Sequence, residues 1–206
     1  MSKRIGLYGG SFDPIHVGHL ISAHSIAEAL SFSKVILIPS ARPPHKEGVP
    51  MATAEDRMAM VRLAIEGDPL FEVSDVEMGR AGPSYTLDTV EEYRRCFGDS
   101  AELFWIIGAD SLPELPTWHR IADLVQRVTI VTATRPGFVK PAVSDLAEAV
   151  GEEAARELLS NCCPTPGIDI SATGIRTLVA AGRSIRYLTP EAVASYIQAH
   201  GLYRAA

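Results

Sequence analysis

A chain of 206 residues, 47% of them hydrophobic, is long enough to bury a sizeable core, and its length points to one domain spanning 1–206. A formal net charge of −6, with no run of lysine or arginine, excludes the electrostatic footprint of a nucleic-acid binder. No stretch approaches ~18 uninterrupted apolar residues and the N-terminus runs straight into a strand pattern, so the expectation is a cytoplasmic protein with no membrane partner, and with self-association left open. Cys96, Cys162 and Cys163 cannot form a disulfide framework and read as reduced thiols.

The first strand, Arg4 to Tyr8, leads into Gly9-Gly10-Ser11-Phe12-Asp13-Pro14-Ile15-His16-Val17-Gly18-His19. A helix follows, with Leu20, Ile21, His24, Ile26, Ala27 and Leu30 at helical spacing. Glycines at a strand end let a ligand's phosphates approach the backbone, and a helix starting near Gly18 aims free N–H groups at the same spot. His16 and His19, three residues apart, suit one phosphate chain. Neither G-x-x-x-x-G-K-[ST] nor G-x-G-x-x-G occurs, so the loop is a different kind of phosphate site. The bland alternatives are a glycine turn with two surface histidines, or a metal pair in want of a third ligand.

This eleven-residue stretch resembles the H-x-G-H signature of the nucleotidylyltransferase superfamily, in the longer form found in bacterial nicotinate-nucleotide adenylyltransferases. The resemblance implies that Gly9, Gly10, Ser11 and Phe12 bind ATP together with His16 and His19.

Lys34 to Pro39 is a nearly continuous apolar strand, the pattern of a strand covered on both faces. The loop Ala41-Arg42-Pro43-Pro44-His45-Lys46 lies past its carboxyl end, where open α/β sheets bind ligands. Its P-P-H-K segment is similar to the family's, which implies phosphate contacts from Lys46 and His45. Ala54 to Glu66 is a helix with Met58, Val61, Leu63 and Ile65 on its buried face, and Phe71 to Val76 an edge strand. Ser84-Tyr85-Thr86 opens a helix reaching about Cys96, with Ser84 or Thr86 the expected N-cap. The segment also resembles the family's S-Y-T-x-D-T, which implies contact with the pyridine nucleotide.

Leu103 to Gly108 is a buried strand, and Gly108 with Asp110 suits a ribose diol, although Asp110 also reads as an N-cap. Trp118 stands where the family lays a tryptophan on the nicotinate ring. Arg127 to Thr132 is a strand, and Arg135 after it offers a planar guanidinium to a phosphate monoester. Pro141 to Ser160 reads as one helix, Asn161 to Pro166 as a loop, and Gly167 to Ile170 as a short strand. Ser171-Ala172-Thr173-Gly174-Ile175-Arg176 resembles the I-S-S-T-x-[IL]-R signature. That implies triphosphate contacts from Ser171, Thr173 and Arg176, and Ala172 departs from the pattern. Without the resemblance, Thr173 is an N-cap and Arg176 a solvated first-turn residue. The last helix runs from Glu191 to His200 and ends at Gly201.

Alternating strands and helices predict an α/β fold, a Rossmann-like open, mostly parallel sheet of the nucleotidyltransferase type with C-terminal helices from about residue 171. The resemblance implies adenylyl transfer from ATP to nicotinate mononucleotide, yielding nicotinate adenine dinucleotide and pyrophosphate by in-line attack. His16, His19, Lys46 and Arg176 would neutralise the developing charge, and Mg²⁺ would be held by the substrate phosphates. Rival readings are a transferase acting on phosphopantetheine or the amide mononucleotide, and a nucleotide-binding regulator without catalysis.

Overall fold

The computed structural model describes residues 3–44 and 51–204. Its strands are β1 (Lys3–Gly10), β2 (Lys34–Pro39), β3 (Phe71–Val73), β4 (Ala101–Gly108), β5 (Thr129–Thr134) and β6 (Cys162–Pro164). They form one sheet in the order β3-β2-β1-β4-β5-β6, and every pairing is parallel. The order reverses between β1 and β4, both pairing with their neighbours through continuous apolar runs, and ligands of such sheets bind at this reversal beyond the carboxyl ends.

The helices are α1 (Val17–Ala29), α2 (Ala54–Ile65), α3 (Thr86–Phe97), α4 (Ile121–Leu124), α5 (Val143–Val150), α6 (Glu152–Ser160), α7 (Ala172–Ala180) and α8 (Glu191–Ala199). Successive strand side chains point to opposite faces, so the sheet carries two apolar layers. Ile5, Leu7, Ile36, Ile38, Leu103 and Trp105 pack with Leu87 and Val90 of α3. Tyr8, Val35, Leu37, Phe104 and Ile106 pack on the other face with Ala23 and Ile26 of α1 and Met60 and Val61 of α2. Val193 and Ile197 of α8 join that second layer. No helix among the described residues is long and apolar enough to cross a membrane, and the three cysteines are free thiols.

Several expected boundaries move for physical reasons. The helix expected from Pro141 to Ser160 is two, because Gly151 at φ +86° cannot continue a helix. The expected loop after Asn161 contains β6, an edge strand in which Pro164 is tolerated. Gly167 to Ile170, expected as a strand, forms none, since the chain has left the sheet edge and turns back toward the cleft. β5 begins and ends two residues later than the Arg127–Thr132 expectation. β3 stops at Val73, because the Ser74 hydroxyl accepts from Val76 N–H at 3.3 Å and curls the chain into a turn.

The expected caps also change hands. At α3 the N-cap is Tyr85, with no side-chain hydrogen bond; the Ser84 hydroxyl instead accepts from Arg42 N–H at 3.1 Å. At α7 the cap is Ser171 rather than Thr173, its hydroxyl accepting from Gly174 N–H at 3.1 Å.

Candidate active site

A cleft of about 1030 Å³ opens along the carboxyl ends of the strands, at the reversal point. Its lining brings together most of the residues singled out from sequence: Gly9, Gly10, Ser11, Phe12, His16 and His19 from the first loop; Ser84, Tyr85 and Thr86 at α3; Gly108, Asp110 and Trp118 after β4. Arg135 after β5, and Ser171 with Ala172 at the start of α7, complete it. Thr173 and Arg176 do not line it. Lys46 and His45 lie outside the described residues.

The floor is made by close approach. A Cβ on Gly9 would lie 2.4 Å from the indole of Trp105, and one on Gly108 would lie 2.4 Å from a carboxylate oxygen of Asp110. Glycine is therefore required at Gly9, where the buried indole cannot give way, whereas at Gly108 a side chain would displace the exposed Asp110 carboxylate; both strand ends leave bare backbone facing the cleft. Phe12 turns the chain with a left-handed φ of 46°, directing Asp13 inward and the loop toward α1.

The two histidine rings stack, with centroids 3.7 Å apart and planes at 26°. The backbone N–H of His16, the N-cap of α1, donates to His19 Nδ1 at 3.2 Å. Nδ1 is thus an acceptor, so the ring proton of neutral His19 sits on Nε2. Phe12 lies edge-on to His19 at 5.2 Å and Tyr8 edge-on to Phe12 at 5.5 Å, so aromatic surfaces fix the imidazole. His16 is 4% exposed, and burial, then the positive charge of Arg135, lowers its pKa from 6.5 to about 4. Burial also raises the pKa of Tyr8, and the nearby charge of Asp110 adds to the shift.

Beneath the loop sits Asp13, 1% exposed. Its Oδ1 accepts from Ala52 N–H at 3.1 Å and from the Tyr203 hydroxyl at 2.7 Å. Arg176 donates to the Asp13 carbonyl at 2.7 Å and to the Thr173 hydroxyl at 3.1 Å, which accounts for its position behind the loop rather than on the cleft surface. Arg57, also 1% exposed, donates to the carbonyls of Ser11 at 2.7 Å, Ala52 at 3.2 Å and Ala41 at 3.4 Å. One buried guanidinium thereby ties the loop after β1 to the loop after β2.

At the far end, the Tyr85 and His119 rings stack at 4.1 Å beside Trp118. Arg120 is turned away, paired with Asp123 at 2.7 Å. Arg135 is the one arginine or lysine lining the cleft among the described residues. His119 follows Trp118 in the segment that resembles the family, while sequence reasoning missed Tyr8, Asp13, Arg57 and Glu77 as site residues. Only Asp13, inside the singled-out loop, carried a signal that would have found it.

A parallel sheet in this order, with glycine strand ends and paired histidines at its reversal, defines a Rossmann-like nucleotidyltransferase. The cytidylyltransferase-like family model matches residues 7–178. Over 98% of this chain and all of its own length, a Thermus thermophilus protein named a probable nicotinate-nucleotide adenylyltransferase is 46% identical, and one of the same name from Pseudomonas fluorescens is 42% identical over 100% of this chain and 99% of its own. The chain belongs to the nicotinate-nucleotide adenylyltransferase family. Among solved structures, Plasmodium falciparum nicotinic acid mononucleotide adenylyltransferase complexed with NaAD shares the fold, with a TM-score of 0.74 at 17% identity over 98% of this chain and 97% of that one.

Proposed function

We propose that this protein transfers the adenylyl group of ATP to nicotinate mononucleotide, releasing pyrophosphate and forming nicotinate adenine dinucleotide, a step of NAD biosynthesis in the cytoplasm. Family membership supports the reaction, and the cleft supports the acceptor. The mononucleotide phosphate oxygen attacks the α-phosphorus of ATP as the bond to pyrophosphate breaks. An ionised phosphate needs no general base, so the protein's task is alignment and neutralisation of developing charge. Neutral His16 and the Nε2–H of His19 donate to phosphoryl oxygens from a rigid stack, over the bare backbone of Gly9, Gly10, Ser11 and Phe12. Ser171 and Thr173 belong to the same triphosphate reading, Lys46 to the catalytic set and to the mononucleotide, and Gly108 with Asp110 to the ATP ribose. Arg176 acts through Asp13, holding the loop, and Arg135 takes the mononucleotide phosphate.

ATP brings Mg²⁺ with it. Among the described residues no three His, Cys, Asp or Glu side chains converge as a metal cage. An ion arriving with ATP would be held by the substrate phosphates and water, and would supply Lewis-acid neutralisation of the triphosphate.

The observation that carries the acid form of the acceptor is the uncapped start of α3. Tyr85 contributes no capping side chain, so first-turn N–H groups beside Thr86 remain available to a carboxylate, while the amide form would place its NH₂ against donors. Trp118 offers the stacking surface for the ring. The test is pyrophosphate release with ATP and an acceptor panel of nicotinate mononucleotide, the amide mononucleotide and phosphopantetheine. The expected result is a kcat/KM for the acid about tenfold to a hundredfold above the amide. Equal values, or a preference for another acceptor, overturn the reading.

A further inference from the structure

Three buried side-chain atoms that line the cleft's residues have no hydrogen-bond partner among the described residues: Asp13 Oδ2, His16 Nδ1 and Glu77 Oε2. Asp13 Oδ2 faces Arg176 Nη1 at 3.7 Å, and His16 belongs to the phosphate loop. Glu77 Oε2 has neither a hydrogen bond nor an ion-pair contact among the described residues, although its charge acts on the buried Arg57. Glu77 is 3% exposed and sits in the turn after β3, at the same edge of the sheet as Ser84, Tyr85 and Thr86.

Its position is fixed by a short chain of hydrogen bonds. The Thr89 hydroxyl, itself 0% exposed, donates to Glu77 Oε1 at 2.7 Å and accepts from Arg80 Nη1 at 3.0 Å. Arg80 Nη2 is held in turn by Glu92 at 2.9 Å. Arg57, a buried cation on which Glu77 acts electrostatically, gives three of its roughly five N–H donors to the carbonyls of Ser11, Ala41 and Ala52 and makes no hydrogen bond to Glu77 among the described residues. One carboxylate oxygen is thus clamped and the other left without a donor in the wall beside α3. A buried acceptor left unpaired costs free energy, and such atoms call for an explanation.

We propose that Glu77 is a specificity-determining residue that accepts a hydrogen bond from a ribose hydroxyl of the acceptor mononucleotide. The inference rests on the function proposed above and follows from the acceptor's chemistry. An ionised carboxylate only accepts, so its partner must donate. The phosphate and ring carboxylate of nicotinate mononucleotide are acceptors, and its strong donors are the two ribose hydroxyls. Thr89 and Arg80 position Glu77 and touch no ligand.

The test compares wild type with Glu77→Gln on nicotinate mononucleotide and its 2′-deoxy and 3′-deoxy analogues, at saturating ATP and Mg²⁺. The wild type is expected to lose about tenfold in kcat/KM on one deoxy analogue. In Glu77→Gln the KM for the mononucleotide rises about as much, the KM for ATP stays put, and the penalty for the missing hydroxyl largely disappears. If Glu77→Gln does not fold, Glu77→Asp, which keeps the charge but withdraws it by one methylene, is read with the same three nucleotides. Penalties that simply multiply, or an unchanged mononucleotide KM, overturn the inference while the proposed reaction stands. A wild type that transfers nothing to nicotinate mononucleotide overturns both.

Discussion

Two imidazoles with centroids 3.7 Å apart would repel each other if both were charged, and the fold avoids this by keeping His16 buried beside the positive charge of Arg135. With a pKa near 4, His16 is neutral at neutral pH and contributes a hydrogen-bonding group rather than a cation. The consequence for stability has a definite sign. As pH falls below 6.5 the unfolded chain takes up this proton while the folded chain refuses it until about pH 4, so stability present above 6.5 is lost across that window. The loss assigned to His16 amounts to at most about 3 kcal/mol. His16→Gln should therefore show a shallower decline in urea-unfolding free energy between about pH 7 and pH 4 than wild type does. Parallel pH profiles would mean that the burial of His16 is not what the acid side of the stability curve reports.

The elements were legible wherever a pattern is local. Val35-Ile36-Leu37-Ile38 fills both faces of the sheet and reads directly as a central parallel strand, and Gly9 through His19 marks the strand end that faces the cleft. What escaped depends on neighbours distant in sequence. Nothing in the residues around Arg57 singles it out, yet three carbonyls from separate segments draw it inside. Glu77 joins the site only because β3 pairs with β2, and the Ser84 hydroxyl is taken from its expected cap by Arg42. β6 is three residues containing a proline, too short to show alternation.

Gly9 illustrates the same dependence, because its need for glycine comes from strand pairing. Leu7 lies beside Trp105 in the register, and two residues on, the indole of Trp105 fills the space a Gly9 side chain would take. Gly9→Ala should cost about 1–3 kcal/mol, measured by urea unfolding, since Trp105 is 3% exposed and packed on all sides. Adding Trp105→Phe to Gly9→Ala should recover part of that loss. Strictly additive effects of the two changes would mean the clash is not the cause.

At the scale of the whole molecule, the last third of the chain returns to the first. Val17 N–H, at the start of α1, donates to the Leu188 carbonyl at 3.0 Å, and the Tyr196 hydroxyl donates to Asp56 of α2 at 2.9 Å. Arg176 and Tyr203 both reach Asp13, 163 and 190 residues away in sequence. We propose on this basis that residues 1–206 fold as one cooperative unit, with the segment from about 171 serving as the back wall of the histidine loop. Tyr203→Phe isolates the bond at the end of that wall. Removing the hydroxyl leaves Asp13 Oδ1 with Ala52 N–H as its remaining donor, in a carboxylate 1% exposed to water. Hydrogen bonds to charged groups contribute about 1.5–3 kcal/mol, so a loss of that order is expected, together with a lower kcat as the loop bearing His16 and His19 loosens. The two tryptophans, Trp105 and Trp118, lie before residue 171 and report on the sheet, whereas far-UV circular dichroism counts all the helices, α7 and α8 included. If the chain is one unit, both signals should change at the same urea concentration in wild type and should shift together in Tyr203→Phe. A variant whose helical signal falls before its tryptophan signal would show instead that the C-terminal helices unfold on their own.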